Sequence, residues 1–327
     1  MALTTIGSNR GAIEGSVAKS ISGRGRDTRG TLFELMLIGC LAVALLVLAV
    51  LIGTVLIDGM GVFTDRGWEF LDGALSSSAE RAGISQAIVG SFWIAVSVVV
   101  LAIPIGVGAA IYLEEYAPQN RLTGFIQVNI RNLAGVPSVV YGLLGLAIFV
   151  NVFDGFTNNE GVSRRTLAAA GVTLAVLVLP IIVITSAEAI RAVPQALREG
   201  AYGVGATRWE VIRSQVLPYA MPGILTGSLL SISRAVGEAA PLIVVGAVTG
   251  FFSEGIGFNA GNLTDPSHLS QRFVALPTVV TEWAKEPSEA FKVELASAAI
   301  IAMLVFVLII NSFAIILRNR FEKRRSE

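Results

Sequence analysis

Six apolar stretches constrain this 327-residue chain more than any other feature; they run approximately over 35–57, 88–112, 133–153, 167–190, 224–251 and 295–317. Each is long enough to cross a hydrocarbon core of about 30 Å at about 1.5 Å per residue. In lipid the backbone must satisfy its own polar groups, so only helices and closed barrels span it. The runs are continuous rather than alternating, so they predict helices. The fold class is therefore all-α, a polytopic membrane helix bundle with six transmembrane helices.

The composition agrees, with 54% hydrophobic and 15% charged residues, against about 25% charged in ordinary soluble domains. Lys plus Arg equals Asp plus Glu at 24 each, so no nucleic-acid surface is expected. Cys40 is the only cysteine and His268 the only histidine. A His/Cys metal cluster is excluded, a Ser-His-Asp triad would have to use His268, and no cofactor is expected. Residues 1–30 are polar and rich in Gly, Ser and Arg, without the apolar core of a signal peptide; they read as a disordered tail.

Lys and Arg set the expected orientation. The two tails and the second and fourth connections hold sixteen of the 24, the other connections hold seven, and Arg234 is left inside a span. Both termini are expected in the cytoplasm of a multi-pass cell-membrane protein. The expected organisation is a cytoplasmic tail (1–30), a first span with its external loop (31–85), a transmembrane domain (86–317) and a basic tail (318–327). The connection over 252–294 is expected to form an external cap. Pro104, Pro137, Pro180 and Pro241 fall inside spans and predict kinks.

The fourth connection, 194–223, is amphipathic. Pro194 suits a first helical turn, Gly203 or Gly205 a left-handed stop, and Thr207 with Glu210 a capping box that opens a second helix. Trp209, Ile212 and Val216 are expected on one face, and Pro218 and Pro222 mark the return to the membrane. Such a helix–turn–helix can dock into a partner's groove or rest on lipid headgroups with Trp209 as its anchor.

Arg234 and Glu238 lie within the fifth apolar run at i, i+4 spacing, close enough to pair. A charge at the bilayer centre costs about 2.5–3.5 kcal/mol on insertion scales, so such residues face protein or a wet cavity. Beside them Gly223, Gly227, Ser231, Ala235 and Ala239 form a small-residue ridge for close helix packing, so the pair is expected to face a packed helix. It is either a permanent interhelical ion pair or a substrate-path element. Arg191, three residues after Glu188, is a weaker path candidate that positive-inside anchoring also explains.

Glu199-Gly200-Ala201, Gly205 and Leu217-Pro218 resemble the cytoplasmic coupling loop of ABC-importer permeases, with Gly200 and Gln215 departing from its pattern. Ile111 to Pro118, Asn132 to Gly142, Arg234 to Leu242, and Ala275-Leu276-Pro277 with Trp283 are similar to the phosphate-specific, PstA-type members of that family. The resemblance covers roughly residues 86–317. It implies a type I importer permease fold, phosphate as substrate, Arg234 and Glu238 on the substrate path, and a coupling loop seated on an ATPase subunit. The implied partners are a PstB-like ATPase, a PstC-like second permease and a PstS-like phosphate-binding protein. No Gly-Lys dipeptide occurs, so this chain has no P-loop and is expected not to be an enzyme. The alternatives are a permease for another oxyanion (sulfate, molybdate or phosphonate) or an ion-gradient-driven secondary transporter. The latter would show inverted repeats, and none is visible.

Overall fold

The computed structural model describes residues 28–150, 165–247 and 265–326, and among these there is no strand. Helices α1 (Thr28–Arg66) and α2 (Trp68–Asp72) come first, then α3 (Ser85–Ile111), α4 (Arg121–Ala134), α5 (Ser138–Leu144) and α6 (Leu167–Arg191). The chain continues through α7 (Gln195–Gly203), α8 (Arg208–Val211), α9 (Leu217–Gly237), α10 (Ala240–Val245), α11 (Leu276–Trp283) and α12 (Ala296–Ser326). Widened turns extend α3 over Tyr112–Tyr116 and α5 over Gly145–Phe149. Another joins α8 to α9 over Ile212–Val216, and a fourth leads into α12 over Ala290–Leu295. The chain divides into two compact units, 1–54 and 55–327. In the first, the described part of α1 is exposed along its length.

Among the described residues five helical segments are long and apolar enough to cross a membrane, and a sixth crossing exists if one bent pair counts as a span. That pair corrects the expected third span. Instead of one helix over 133–153, α4 and the α5 segment meet at 103°. Pro137 supplies no N–H to continue a helix and restricts the residue before it to extended backbone, and Gly135–Pro137 is where the chain turns. Residues 151–153 lie outside the described residues. The fifth span is corrected in the same way. A continuous helical segment over Arg208–Gly237 ends where Glu238 turns extended (φ −82°, ψ 113°), and α10 starts afresh. Pro241 does not kink a running helix here. It occupies the first turn of α10, where its missing N–H costs no hydrogen bond. Nor do Pro218 and Pro222 break the chain: Pro218 is in the first turn of α9 and Pro222 within it.

The core lies where α3, α6 and α9 pack together. Val98, Leu174, Val178, Ile182, Ala235 and Leu242 are all buried in it. Complete burial of a Leu or Ile side chain contributes about 1.5–3 kcal/mol in water. Between helices in lipid that drive is absent and close van der Waals packing takes its place. The small-residue ridge on α9 serves this purpose: a Cβ at Gly227 would overlap the Thr185 hydroxyl of α6, while Ser231 and Ala235 are fully buried. Ser233 donates to the Asn311 side-chain oxygen of α12, which ties the other flank of α9.

The described part of the connection expected as an external cap, 265–294, packs against the segment that follows the first span and the start of α3. Residues of this connection up to 264 lie outside the described residues. Beyond them Val274, Leu276, Val279 and Trp283 are buried with Phe70 and Ile84. The Leu276 N–H donates to Ser91 Oγ of α3 at 2.9 Å. Gly90 makes this seat possible, because a Cβ there would overlap the Val274 carbonyl oxygen. Gly90→Ala is therefore expected to lower stability by about 1–3 kcal/mol, the usual cost of overpacking. Gly200→Ala, at a position with nothing within 4 Å of a built Cβ, should not. Thermal unfolding of the purified protein in one detergent compares the two.

Candidate functional site

The loop between α6 and α9 is locally encoded. Pro194 is the N-cap of α7, as its fixed φ allows. At the far end Gly205 adopts φ +85°. The Gly205 N–H donates to Tyr202 O at 3.0 Å and the Ala206 N–H to Ala201 O at 3.2 Å, the paired closure of a helix that ends on a left-handed residue. Thr207 then opens α8 with the expected capping box: its N–H donates to Glu210 Oε2 at 2.7 Å, and the Glu210 N–H to Thr207 Oγ1 at 3.4 Å.

The face of this second helix differs from expectation. Ile212 and Val216 are buried, but Trp209 is 53% exposed. The widened turn over Ile212–Val216 shifts the register, so that Val211 and Val216 turn inward onto Ile190, Val193 and Ala220. Leu217 packs against the same cluster, and Pro218 is exposed. On the outside, Leu197, Tyr202, Val204 and Trp209 stay exposed, with Glu199 and Gly200 beside them and Ala201 half-buried.

Three arginines of this region meet three consecutive residues at the end of α3. Arg191, at the end of α6, grips Glu114 with two donors, Nε to Oε2 at 3.2 Å and Nη2 to Oε1. Arg198 of α7 donates to Glu115 Oε1 at 3.0 Å. Arg208 of α8 lies over the Tyr116 ring, 4.9 Å from its centroid. The Glu115–Arg198 pair is well covered, with 9% and 14% of its side chains exposed. Arg191, expected as an anchor or a path residue, is engaged by Glu114. Glu114 and Glu115 lie within the Ile111 to Pro118 segment that carries the resemblance, and no role was expected of them. The available signal was a pair of adjacent acids at the end of a span on the arginine-rich side.

Arg234 and Glu238 do come together, Nε to Oε1 at 3.4 Å. They sit at the break between α9 and α10, not within a continuous helix. Within this chain they do not face a packed helix: 49% of the Arg234 side chain and 22% of the Glu238 side chain are exposed. The ridge residues Gly227, Ser231 and Ala235 take the packed side of α9, and the pair is turned away from it. The break itself is enclosed elsewhere, since a Cβ at Gly142 of α5 would meet Pro241 Cα at 2.7 Å. Two of the segments that carried the resemblance thus lie against each other.

Residues 102–327 match the family described as binding-protein-dependent transport system inner membrane component. The chain belongs to that family. The "Probable ABC transporter permease protein YqgI" of Bacillus subtilis is 33% identical over 64% of this chain and 68% of its own length. The phosphate transport system permease protein PstA 1 of Mycobacterium tuberculosis is 32% identical over 86% of each chain. A solved bacterial alginate ABC transporter, in complex with a periplasmic protein that holds an alginate pentasaccharide, contains a chain of the same fold. That chain is 15% identical, with a TM-score of 0.57 over 88% of this chain and 93% of its own. The architecture is that of ABC-importer permeases, and membership implies an ATPase and a solute-binding protein as partners.

In this permease the Gly205 turn fixes how α8 leaves α7. A left-handed conformation costs a residue with a Cβ about 1–2 kcal/mol, and a β-branched one more. Gly205→Val should therefore misalign α8 and weaken capture of the purified ATPase partner, while the protein still inserts. Gly200→Ala, on the exposed face of α7, should raise helix stability by roughly 0.5–1 kcal/mol and retain the ATPase. Co-purification with the ATPase, normalised to inserted permease, separates the two.

Proposed function

We propose that this chain is the PstA-type permease subunit of a phosphate importer and forms half of the translocation path with a PstC-like second permease. A PstB-like ATPase sits against the loop over 194–223, and a PstS-like phosphate-binding protein delivers solute on the opposite side. The chain performs no covalent chemistry, and both termini face the cytoplasm. Phosphate is favoured by the mycobacterial relative, whose name states that substrate and which matches over nearly the whole length. The positive-inside balance supports the orientation.

Arg234 carries the site reading. It is an arginine in an apolar span, half exposed within this chain and placed where the fifth span is interrupted. A guanidinium offers an oxyanion a planar fork of charge-assisted donors. Glu238, one turn on, occupies that fork loosely at 3.4 Å, which leaves it exchangeable for an anion. A break between two helix segments also gives the path irregular backbone, which membranes tolerate where it lines a cavity. A second permease subunit packed on this face would close that cavity.

Because about half of the Arg234 side chain is exposed on this chain, Arg234→Gln should leave the protein folded. Hydrogen bonds to charged groups contribute about 1.5–3 kcal/mol, so radiolabelled phosphate uptake should fall by roughly ten- to a hundredfold. Arg234→Lys should recover part of the loss. Arg234→Gln combined with Glu238→Gln should recover none. Uptake at the wild-type rate by the doubly neutral variant, per assembled complex, would refute a substrate role for the pair.

A further inference from the structure

Three consecutive residues of the second span hold three arginines drawn from three successive elements. The three residues lie in the widened turn over Tyr112–Tyr116, which is closed by the Ala117 N–H donating to Tyr112 O. Glu114, Glu115 and Tyr116 reach Arg191, Arg198 and Arg208 respectively.

Arg198 is the pivot. Besides Glu115 it donates to the carbonyls of Ile190 at 2.9 Å and Val193 at 2.7 Å. These carbonyls lie at and just beyond the end of the fourth span, where the regular helical ladder gives out; Ile190 O also accepts the Val193 N–H at 3.2 Å. One guanidinium, carried on the first coupling helix, is therefore bonded to the ends of both the second and the fourth span. The buried cluster of Ala110, Ile190, Val193, Val211 and Val216 lies under the same junction.

We infer that the Glu114-Glu115-Tyr116 turn is a latch that makes α7 and α8 move with the second and fourth spans as one body, with Glu115 and Arg198 as its central positioning residues. This rests on the permease reading above, in which the loop is where the ATPase acts. A push on the exposed side of α7 reaches the spans through Arg198, because that side chain fills three acceptors at once. Without the latch the loop would still bind the ATPase through its exposed residues. Its movement would be absorbed by the short segments at 192–194 and 204–207.

The test uses the full complex in proteoliposomes with Glu115→Gln, which keeps an acceptor oxygen and removes the charge. ATP hydrolysed per phosphate imported should rise at least tenfold while ATPase capture stays at the wild-type level. Tyr116→Leu, which removes only an exposed ring from under Arg208, should raise the ratio less, and it serves if Glu115→Gln does not assemble. Hydrolysis and uptake that fall together at an unchanged ratio, or that both stay unchanged, would overturn the latch, the first by reducing these contacts to fold stability. A readout independent of the solute is hydrogen exchange. On ATP binding, amides of Gln195–Gly203 and of the end of α3 should change together in the wild type, and only the former in Glu115→Gln. A response at α3 that survives the substitution also overturns the latch. A wild-type complex that responds at α3 but imports no phosphate overturns the phosphate reading and leaves the latch standing.

Discussion

Every interruption of a helix in lipid leaves backbone groups that water cannot reach, and the rest of this structure is arranged around supplying their partners. The break before Pro137 is bridged by Tyr141, whose hydroxyl donates to Leu133 O at 2.8 Å. The end of the fourth span is bonded by Arg198. The segment that leads into α11 is held by Ser91, to which Leu276 donates its N–H. Each of these partners comes from a different element or from across a bend. The breaks therefore fasten neighbouring elements to one another, and they do so with directional bonds where lipid offers no hydrophobic drive between helices.

That arrangement separates two ends of different character. At one, Phe70, Ile84, Leu276, Trp283 and Phe291 form a dry cluster in which loops are absorbed into the bundle. At the other, acids at the end of α3 meet arginines of α6, α7 and α8. Ion pairs exposed to water contribute little, about 0–1 kcal/mol. A covered pair such as Glu115–Arg198 is costly to break because the remaining charge is stranded. The first end thus suits a fixed assembly and the second a junction that must stay closed while its parts move. The open Arg234–Glu238 pair resembles neither, which suits a site where partners exchange.

The helices were legible in the sequence because hydropathy over about twenty residues is a sum that no single residue can mask. The loop over 194–223 was legible because its signals are local: Pro194, Gly205 and the Thr207–Glu210 spacing each act within a few residues. The bends at Pro137 and after Gly237 were marked by prolines but hidden by apolar composition that runs straight through them. The position of Trp209 was misjudged because a widened turn moves the register without a sequence signature. The contacts of Arg198 and Arg191 were not legible at all. Their acidic partners lie 83 and 77 residues away, and nothing local says which span ends will meet.

The central claim is that this permease carries phosphate by a push from ATP delivered at the arginine-rich end. The most direct measurement is radiolabelled phosphate accumulation in proteoliposomes that hold the complete complex, with binding protein outside, ATP sealed inside and all ion gradients collapsed by ionophores. The account predicts accumulation that requires ATP, persists without any gradient and is not matched by sulfate. Uptake that ignores ATP and vanishes with the gradient, or that prefers sulfate, would contradict it.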